Sequence, residues 1–118
     1  MLRYGVGMVV LLSANMALAD VSAAQREEVH RLLQFIQYSN CTIERNGSRH
    51  KASKAVSHVQ KKYDHFRDRI RTTEDFISYA ATKSLMSGRH YLVKCGNGRK
   101  RKTRDWLLQE LKRIRQGI

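Results

Sequence analysis

The sequence contains no proline, only two cysteines and few acidic residues. Among its 118 residues, 10 Asp and Glu stand against 23 Lys and Arg, which leaves a formal net charge of +13. With 0 prolines and 7 glycines, the chain cannot be collagen-like or a proline-rich disordered segment. Its hydrophobic share of 42% is close to the globular average, and its length suits one folded domain but neither a repeat array nor a large two-domain enzyme.

The N-terminal segment Met1–Ala19 has the pattern of an export signal. Arg3 supplies a positive charge, residues 4–12 form an apolar stretch, and Ala17-Leu18-Ala19 supplies small residues before Asp20. This combination predicts a secretory signal peptide cleaved between Ala19 and Asp20. An uncleaved anchor is the alternative, but the apolar run is too short to span about 30 Å of hydrocarbon. We therefore expect residues 20–118 to form a single periplasmic or secreted domain without a transmembrane segment.

Export changes the interpretation of Cys41 and Cys95, because disulfides persist in oxidising compartments. Both cysteines lie on predicted strands, on the faces that carry Ile43 and Val93, so both sulfurs should point inward. A bond between them would close a loop of about fifty residues and contribute about 4 kcal/mol. Two buried free thiols are the alternative. The spacing fits neither a zinc site nor a C-x-x-C redox pair.

Hydrophobic periodicity and turn signals predict an α+β domain in the order α-β-β-α-α-β-α. The economical packing is a small antiparallel sheet of about three strands with helices on one face. A capping box at Ser22 begins a first helix over Ala23–Tyr38. Asn46-Gly47 predicts a type I′ hairpin between strands at Cys41–Arg45 and Ser48–Lys51.

Cap signals divide the second half of the chain into three further helices. Ser53 can cap the first of these helices. Thr72 and Asp75 can cap the second, and Ser87-Gly88 is predicted to end it. A third strand is predicted over Tyr91–Cys95. After the low-complexity segment Gly96–Lys102, Thr103 begins the last helix, in which Trp106 is expected to be a core anchor.

Several short patterns, taken together and in order, resemble one known family. They are Arg45-Asn46-Gly47, Ala55–Val59, Arg69-Ile70, Thr73–Ile77 and Ser84–Val93. The set resembles the YfeK-like family of small exported bacterial proteins of unknown function. The resemblance implies an envelope protein with a signal peptide and with no assigned activity or cofactor, and it supplies no catalytic residues. This chain departs from the family in having His90 where proline is common.

A polar pocket is predicted where the third helix meets the third strand. The residues that could converge there are Arg45, His58, Arg69, Ser84, Ser87 and Tyr91. Such a pocket could hold a carboxylate or a sugar. The alternative is that the serines and Gly88 only end the helix, and that Tyr91 is a half-buried strand residue.

The sequence predicts no enzyme, no metal and no cofactor. His58 with Ser84 and Glu74 could in principle form a nucleophile–base–orienter set, but no G-x-S-x-G elbow marks a nucleophilic serine. A partly buried histidine that is hydrogen-bonded to backbone is the plainer interpretation. His-x-x-x-His and His-Glu-x-x-His are absent, and His58 and His65 lie too far apart along a helix to form one compact metal site.

The excess of Lys and Arg predicts an anion-binding surface. Its centre is a run near the C-terminus: Arg99, Lys100, Arg101, Lys102 and Arg104. Nucleic acid is the usual partner of such a chain, but export and the lack of an aromatic stripe argue against it. We expect a non-enzymatic binding module for an anionic envelope component or an acidic protein. One alternative is a small inhibitor or accessory protein of an envelope enzyme. Another is that the basic surface only aids solubility. The sequence does not predict the oligomeric state.

Overall fold

The computed structural model describes residues 20–117, which form one α+β domain. The predicted leader Met1–Ala19 lies outside the described residues. In chain order the elements are α1 (Ala23–Tyr38), β1 (Thr42–Arg45), β2 (Ser48–Lys51), α2 (Ala52–Phe66), a 3-10 turn (Arg67–Arg69), α3 (Thr73–Ala80), β3 (Leu92–Lys94), β4 (Arg101–Lys102) and α4 (Thr103–Arg115). No helix within this part of the chain is long and apolar enough to cross a bilayer.

Local signals place the starts of α1 and α3 and the β1–β2 turn as predicted. The Ser22 hydroxyl accepts a hydrogen bond from the Gln25 amide at 3.3 Å, and Thr72 forms a complete capping box with Asp75. Asn46 and Gly47 have φ values of 52° and 82°, the positive angles that a type I′ turn requires. The positions of both helix starts and of the turn are confirmed, because each depends on residues close together in the chain. The predicted capping box at Ser22 is incomplete, because the Gln25 side chain accepts from the Thr73 amide at 2.7 Å.

Two predicted helix boundaries are wrong. Helix α2 is not capped by Ser53 but begins at Ala52, directly after β2, because the Ala52 amide donates to the Cys41 carbonyl at 2.9 Å. Helix α3 ends at Ala80 rather than at Ser87-Gly88. Beyond it the chain forms a tight hairpin, in which the Tyr91 amide donates to the Thr82 carbonyl at 2.9 Å. Backbone bonds across this hairpin replace those that would have continued the helix.

The sheet is antiparallel throughout, with strand order β2-β1-β3-β4. The α+β class is confirmed, with one more strand than predicted. Strand β4 pairs Arg101 with Val93 and Lys102 with Leu92. Two residues are too few to show a period of two in the sequence, so this strand could be found only from its pairing.

The core lies between the helices and one face of the sheet. On that face, Ile43 and Val93 are directly paired and are 4% and 1% exposed. Trp106 is buried, with its ring centroid 4.6 Å from that of Phe35, which confirms its expected role as an anchor for α4. The helices therefore cover one face of the sheet, and no other element of the described part of the chain covers the second face.

A disulfide joins Cys41 to Cys95, next to the paired residues Thr42 and Lys94. Their Cα atoms lie 4.4 Å apart, as in a directly opposed pair of an antiparallel ladder. The bond is as predicted, but only Cys41 is buried; Cys95 is exposed because the chain turns out into the exposed segment Gly96–Gly98. The bond closes the segment that contains α2 and α3.

Removing this bond should destabilise the fold strongly. The double variant Cys41→Ala with Cys95→Ala is expected to lower the free energy of unfolding by about 4 kcal/mol, because the unfolded chain gains the entropy of an open loop. Urea unfolding followed by circular dichroism measures this, with the parent under reducing conditions as a second measurement. Equal unfolding midpoints for oxidised and reduced protein would contradict the prediction.

Candidate functional site

A cavity of about 300 Å³ lies between the β1–β2 turn, α2 and the hairpin that precedes β3. We call it the basic cavity, and its lining residues are Arg45, Asn46, His58, Lys62, Ser84, Leu85, Met86 and Tyr91. Three elements that are distant in the chain thus contribute to one concave surface. Its volume is at the lower end of the range for small-molecule sites.

Helix periodicity and strand pairing bring these side chains together. His58 and Lys62 are four residues apart on α2 and therefore share a helix face. Arg45 ends β1 on the same face as Ile43, toward the helices. Tyr91 directly precedes β3, which pairs with β1, so its side chain meets those of α2.

Lys62 is the most unusual residue of the cavity. Its side chain is buried, with 8% of the residue exposed, and its amino group donates to the Lys83 carbonyl at 2.8 Å and to the Tyr91 hydroxyl at 3.0 Å. Among residues 20–117 no carboxylate lies within ion-pair distance of it. Burial, and then repulsion from Arg45, lower the pKa of Lys62 below its usual value.

The Tyr91 hydroxyl connects Lys62 to His58. His58 Nε2 lies 3.3 Å from the Tyr91 oxygen, which also accepts the hydrogen bond from Lys62. Burial raises the pKa of Tyr91, although Arg45 opposes this. Burial also lowers the pKa of His58, and the positive charges of Arg45 and Lys62 lower it further. The consistent arrangement at neutral pH is a Tyr91 hydroxyl that donates to an uncharged His58.

Arg45 adds a second cation, which has no hydrogen-bond or ion-pair partner within residues 20–117. It is half-buried, and no hydrogen bond or ion pair joins its side chain to any other described residue. Its charge nevertheless disfavours protonation of both His58 and Lys62. The cavity therefore contains an excess of positive charge that the surrounding protein does not neutralise.

Hydrogen bonds between Ser84, Ser87 and Asn46 fix the hairpin against the β1–β2 turn. Ser84 Oγ accepts from Asn46 Nδ2 at 3.2 Å and from the amides of Met86 and Ser87 at 3.2 and 3.3 Å. Ser87 Oγ donates to Asn46 Oδ1. The interpretation that these serines only end a helix is wrong, because α3 has already ended before them.

The structure brings four of the six predicted pocket residues to the cavity: Arg45, His58, Ser84 and Tyr91. Ser87 lies beside it, through its bond to Asn46. Arg69 does not line it, because Arg69 lies in the 3-10 turn beyond the end of α2, about three helical turns from His58.

Sequence reasoning missed Lys62, although its four-residue spacing from His58 was a usable signal. It also missed Leu85 and Met86, which were predicted to lie within a helix that in fact ends earlier.

The nucleophile–base–orienter set considered for His58 is not assembled. Glu74 is held by Arg115, with Nη1 2.6 Å from the carboxylate, and His58 faces Tyr91. Ser84 is occupied by the hydrogen bonds that shape its hairpin. Within residues 20–117 no group of three or more potential metal ligands occurs.

A second basic surface lies on the opposite face of the sheet. The register pairs Glu44 with Arg49 and Leu92, and Thr42 with Lys51 and Lys94, so these residues share the uncovered face. Lys102 opposes Leu92, and Lys100 reaches Glu44 at 2.7 Å. We call this surface the basic sheet face: Arg49, Lys51, Lys94, Lys100 and Lys102, with Glu44 as its acid. A depression of about 310 Å³ lies on it.

The predicted anion-binding run does not form one patch. Lys100 and Lys102 join the basic sheet face, but Arg101 opposes Val93 and donates to Gln109 on α4 at 2.8 Å. Arg104 pairs with Asp105 at 3.4 Å, and Arg99 is exposed. The run is divided because successive residues of a strand point to opposite faces.

Comparisons with known proteins agree with the resemblance inferred from residues 45–95. A family model described as "Family of unknown function (DUF5329)" matches residues 23–115. The uncharacterized protein YfeK of Salmonella typhimurium is 36% identical over 85 residues, which cover 71% of this chain and 71% of that protein. No solved structure matches.

The low pKa of His58 should make the stability pH-dependent. The ordinary value for histidine is 6.5, and the folded value lies below it. As the pH falls through this interval, the unfolded chain binds a proton that the folded chain does not, so the free energy of unfolding decreases. Urea unfolding between about pH 7 and pH 5 should show a shallower decrease for His58→Gln than for the parent. Identical slopes for the two proteins would contradict this.

Proposed function

The chain belongs to the family of unknown function DUF5329, and we propose that it is an exported, non-enzymatic binding module that engages an anionic envelope component through the basic sheet face. The observation that carries this proposal is an uncovered sheet surface with five bases and a single acid, Glu44. Anionic phospholipid headgroups are the partner we propose, because bases spread over a whole sheet face can contact several headgroups at once.

The number of unpaired bases on the sheet face gives an estimate of the strength of this contact. Lys100 is neutralised by Glu44, which leaves Arg49, Lys51, Lys94 and Lys102 without an ion-pair partner among the described residues. Each base near an anionic membrane contributes about 1 kcal/mol, so four contribute about 4 kcal/mol. That corresponds to a dissociation constant of about 1 mM. Association through this face is therefore weak, reversible and sensitive to salt.

Two observations support export, and a third is compatible with it. A disulfide such as Cys41–Cys95 is typical of proteins in oxidising compartments. Residues 1–19 have the signal-peptide pattern. Asp20, the residue that would follow cleavage, takes part in the fold: it accepts from the Tyr63 hydroxyl at 2.8 Å and from Arg67 at 3.0 Å. Burial alone would raise the pKa of Asp20, but these bonds and the Val21 amide lower it. Cleavage before Asp20 would thus leave these contacts in the mature chain.

Sedimentation with lipid vesicles tests the membrane contact. The parent should bind phosphatidylglycerol vesicles at low salt, lose binding as salt increases, and fail to bind phosphatidylcholine vesicles. The double variant Arg49→Glu with Lys94→Glu should bind at least about 30-fold more weakly, because two favourable contacts of about 1 kcal/mol each are lost.

The matched control is Arg31→Glu with Lys112→Glu, which makes the same change in net charge at exposed positions on α1 and α4. It should retain most of the binding. If both double variants lose binding equally, only net charge matters, and the sheet face is not the contact surface. Absence of vesicle binding at low salt would reject the membrane contact outright.

Export is tested by expressing the full chain in a Gram-negative host and measuring intact masses. We expect the protein in the periplasmic fraction, beginning at Asp20 and carrying the disulfide. The variant Ala19→Arg should block processing, because the cleavage site requires a small residue. Protein that retains Met1 and its free thiols in the cytosolic fraction would contradict export.

A further inference from the structure

The basic cavity and the basic sheet face lie on opposite sides of the sheet. Arg45 follows Glu44 in β1, so the two side chains point to opposite faces. Glu44 lies among the bases of the sheet face, whereas Arg45 turns toward α2 and the cavity. An occupant of the cavity and a partner on the sheet face would therefore contact different side chains.

The cavity has hydrogen-bond donors that the protein does not use. An ammonium group has three N–H donors, and Lys62 gives two of them to the Lys83 carbonyl and the Tyr91 hydroxyl. The third has no hydrogen-bond acceptor among residues 20–117, although the ammonium also lies 4.9 Å from the centroid of the Tyr91 ring. The guanidinium of Arg45, which has five N–H donors in a planar fork, likewise has no partner in this part of the chain.

A buried ammonium without a carboxylate is unfavourable unless something compensates its charge. The groups facing Lys62 are a carbonyl, a phenol, His58 and Arg45, none of which carries negative charge at neutral pH. A ligand anion would supply the missing charge. A carboxylate fits this role, because its two oxygens match the Arg45 fork and one of them can also accept from Lys62.

The rim of the cavity is apolar. Leu85 and Met86 line it and are 69% and 96% exposed, although large apolar side chains are usually buried. They are neighbours in the chain, and Ser84 holds their hairpin in place, because its hydroxyl accepts from Asn46 in the β1–β2 turn and from the Met86 amide. This small apolar surface beside the unpaired cations is complementary to a molecule with an anionic head and an apolar tail.

We propose that the basic cavity binds a small amphiphilic carboxylate, with the carboxylate on Lys62 and Arg45 and the alkyl tail against Leu85 and Met86. The Tyr91 hydroxyl holds the Lys62 ammonium in position, and His58 accepts a hydrogen bond from that hydroxyl and stays uncharged. No covalent step takes place.

Calorimetric titration of the full mature domain with octanoate tests this site. Three control ligands are titrated in the same way. Acetate has the carboxylate without the alkyl tail, octanol has the alkyl tail without the carboxylate, and inorganic phosphate is an anion of different shape. Octanoate should bind at least about tenfold more tightly than any of the three, because only octanoate uses both halves of the cavity. Equal binding of octanoate and octanol, or of octanoate and phosphate, would overturn the proposal.

Two single variants and one double variant locate the ligand. Lys62→Met should weaken octanoate binding at least about tenfold, whereas Lys61→Met, which removes a charge from the adjacent exposed position, should change it less than about twofold. Leu85→Ser with Met86→Ser should weaken octanoate binding and leave acetate binding unchanged. Because these two residues are exposed, this variant should fold normally. Parent-like octanoate affinity in either Lys62→Met or the double serine variant would overturn the proposal.

A measurement on the parent protein distinguishes ligand binding from a purely structural role of Lys62 and does not depend on any variant folding. A bound carboxylate brings negative charge next to His58, so the pKa of His58 measured by NMR should rise on addition of octanoate. Octanol should leave it unchanged. A His58 pKa that does not respond to saturating octanoate would show that no carboxylate enters the cavity. Vesicle binding by the sheet face would be unaffected by that result.

Discussion

The antiparallel pairing of β1 with β3 is the constraint on which both candidate surfaces depend. These strands lie about fifty residues apart in the chain, and closing such a loop costs conformational entropy. The Cys41–Cys95 bond, with a Cα separation of 4.4 Å, removes much of that cost by restricting the unfolded chain. Because β3 lies beside β1, Tyr91 reaches the helix that carries His58, and Lys94 joins Arg49 and Lys51 on one face.

Strand β1 contributes to both surfaces because its side chains alternate. Ile43 and Arg45 point toward the helices, and Glu44 points away from them into solvent. A slip of one residue in the register would exchange the two sets, expose Ile43 and move Arg45 out of the cavity. The type I′ turn at Asn46-Gly47 fixes the register on one side, and the disulfide fixes it on the other.

Burial of Lys62 decides the chemistry of the cavity. The desolvation that makes its ammonium costly also lowers the pKa of His58 and raises that of Tyr91. The result is a chain of hydrogen bonds with one buried cation and no internal anion. Proteins usually pair such a charge, and here the pair is incomplete within the described residues. This incomplete pairing is the basis of the binding that we propose for the cavity.

The local elements could be predicted from residues near one another in the sequence. Helix α1, the β1–β2 hairpin and the Thr72 capping box each follow from a short pattern whose hydrogen bonds are local. The end of α3 could not be predicted this way, because the Thr82–Tyr91 bond that competes with the helix joins residues on two arms of a hairpin. Strand β4 was missed because its identity depends on pairing with β3.

The sequence by itself determined the α+β class, the inward-facing apolar sets, the cysteine pair and the excess of positive charge. It indicated Arg45, His58, Ser84 and Tyr91 as neighbours, but it did not single out Lys62. Only the tertiary structure decided that Lys62 is buried, that Arg69 lies away from the cavity, and that the basic run is divided between two faces. The physical reason is that desolvation and the pairing of charges depend on which distant segments pack together, and local sequence patterns do not contain that information.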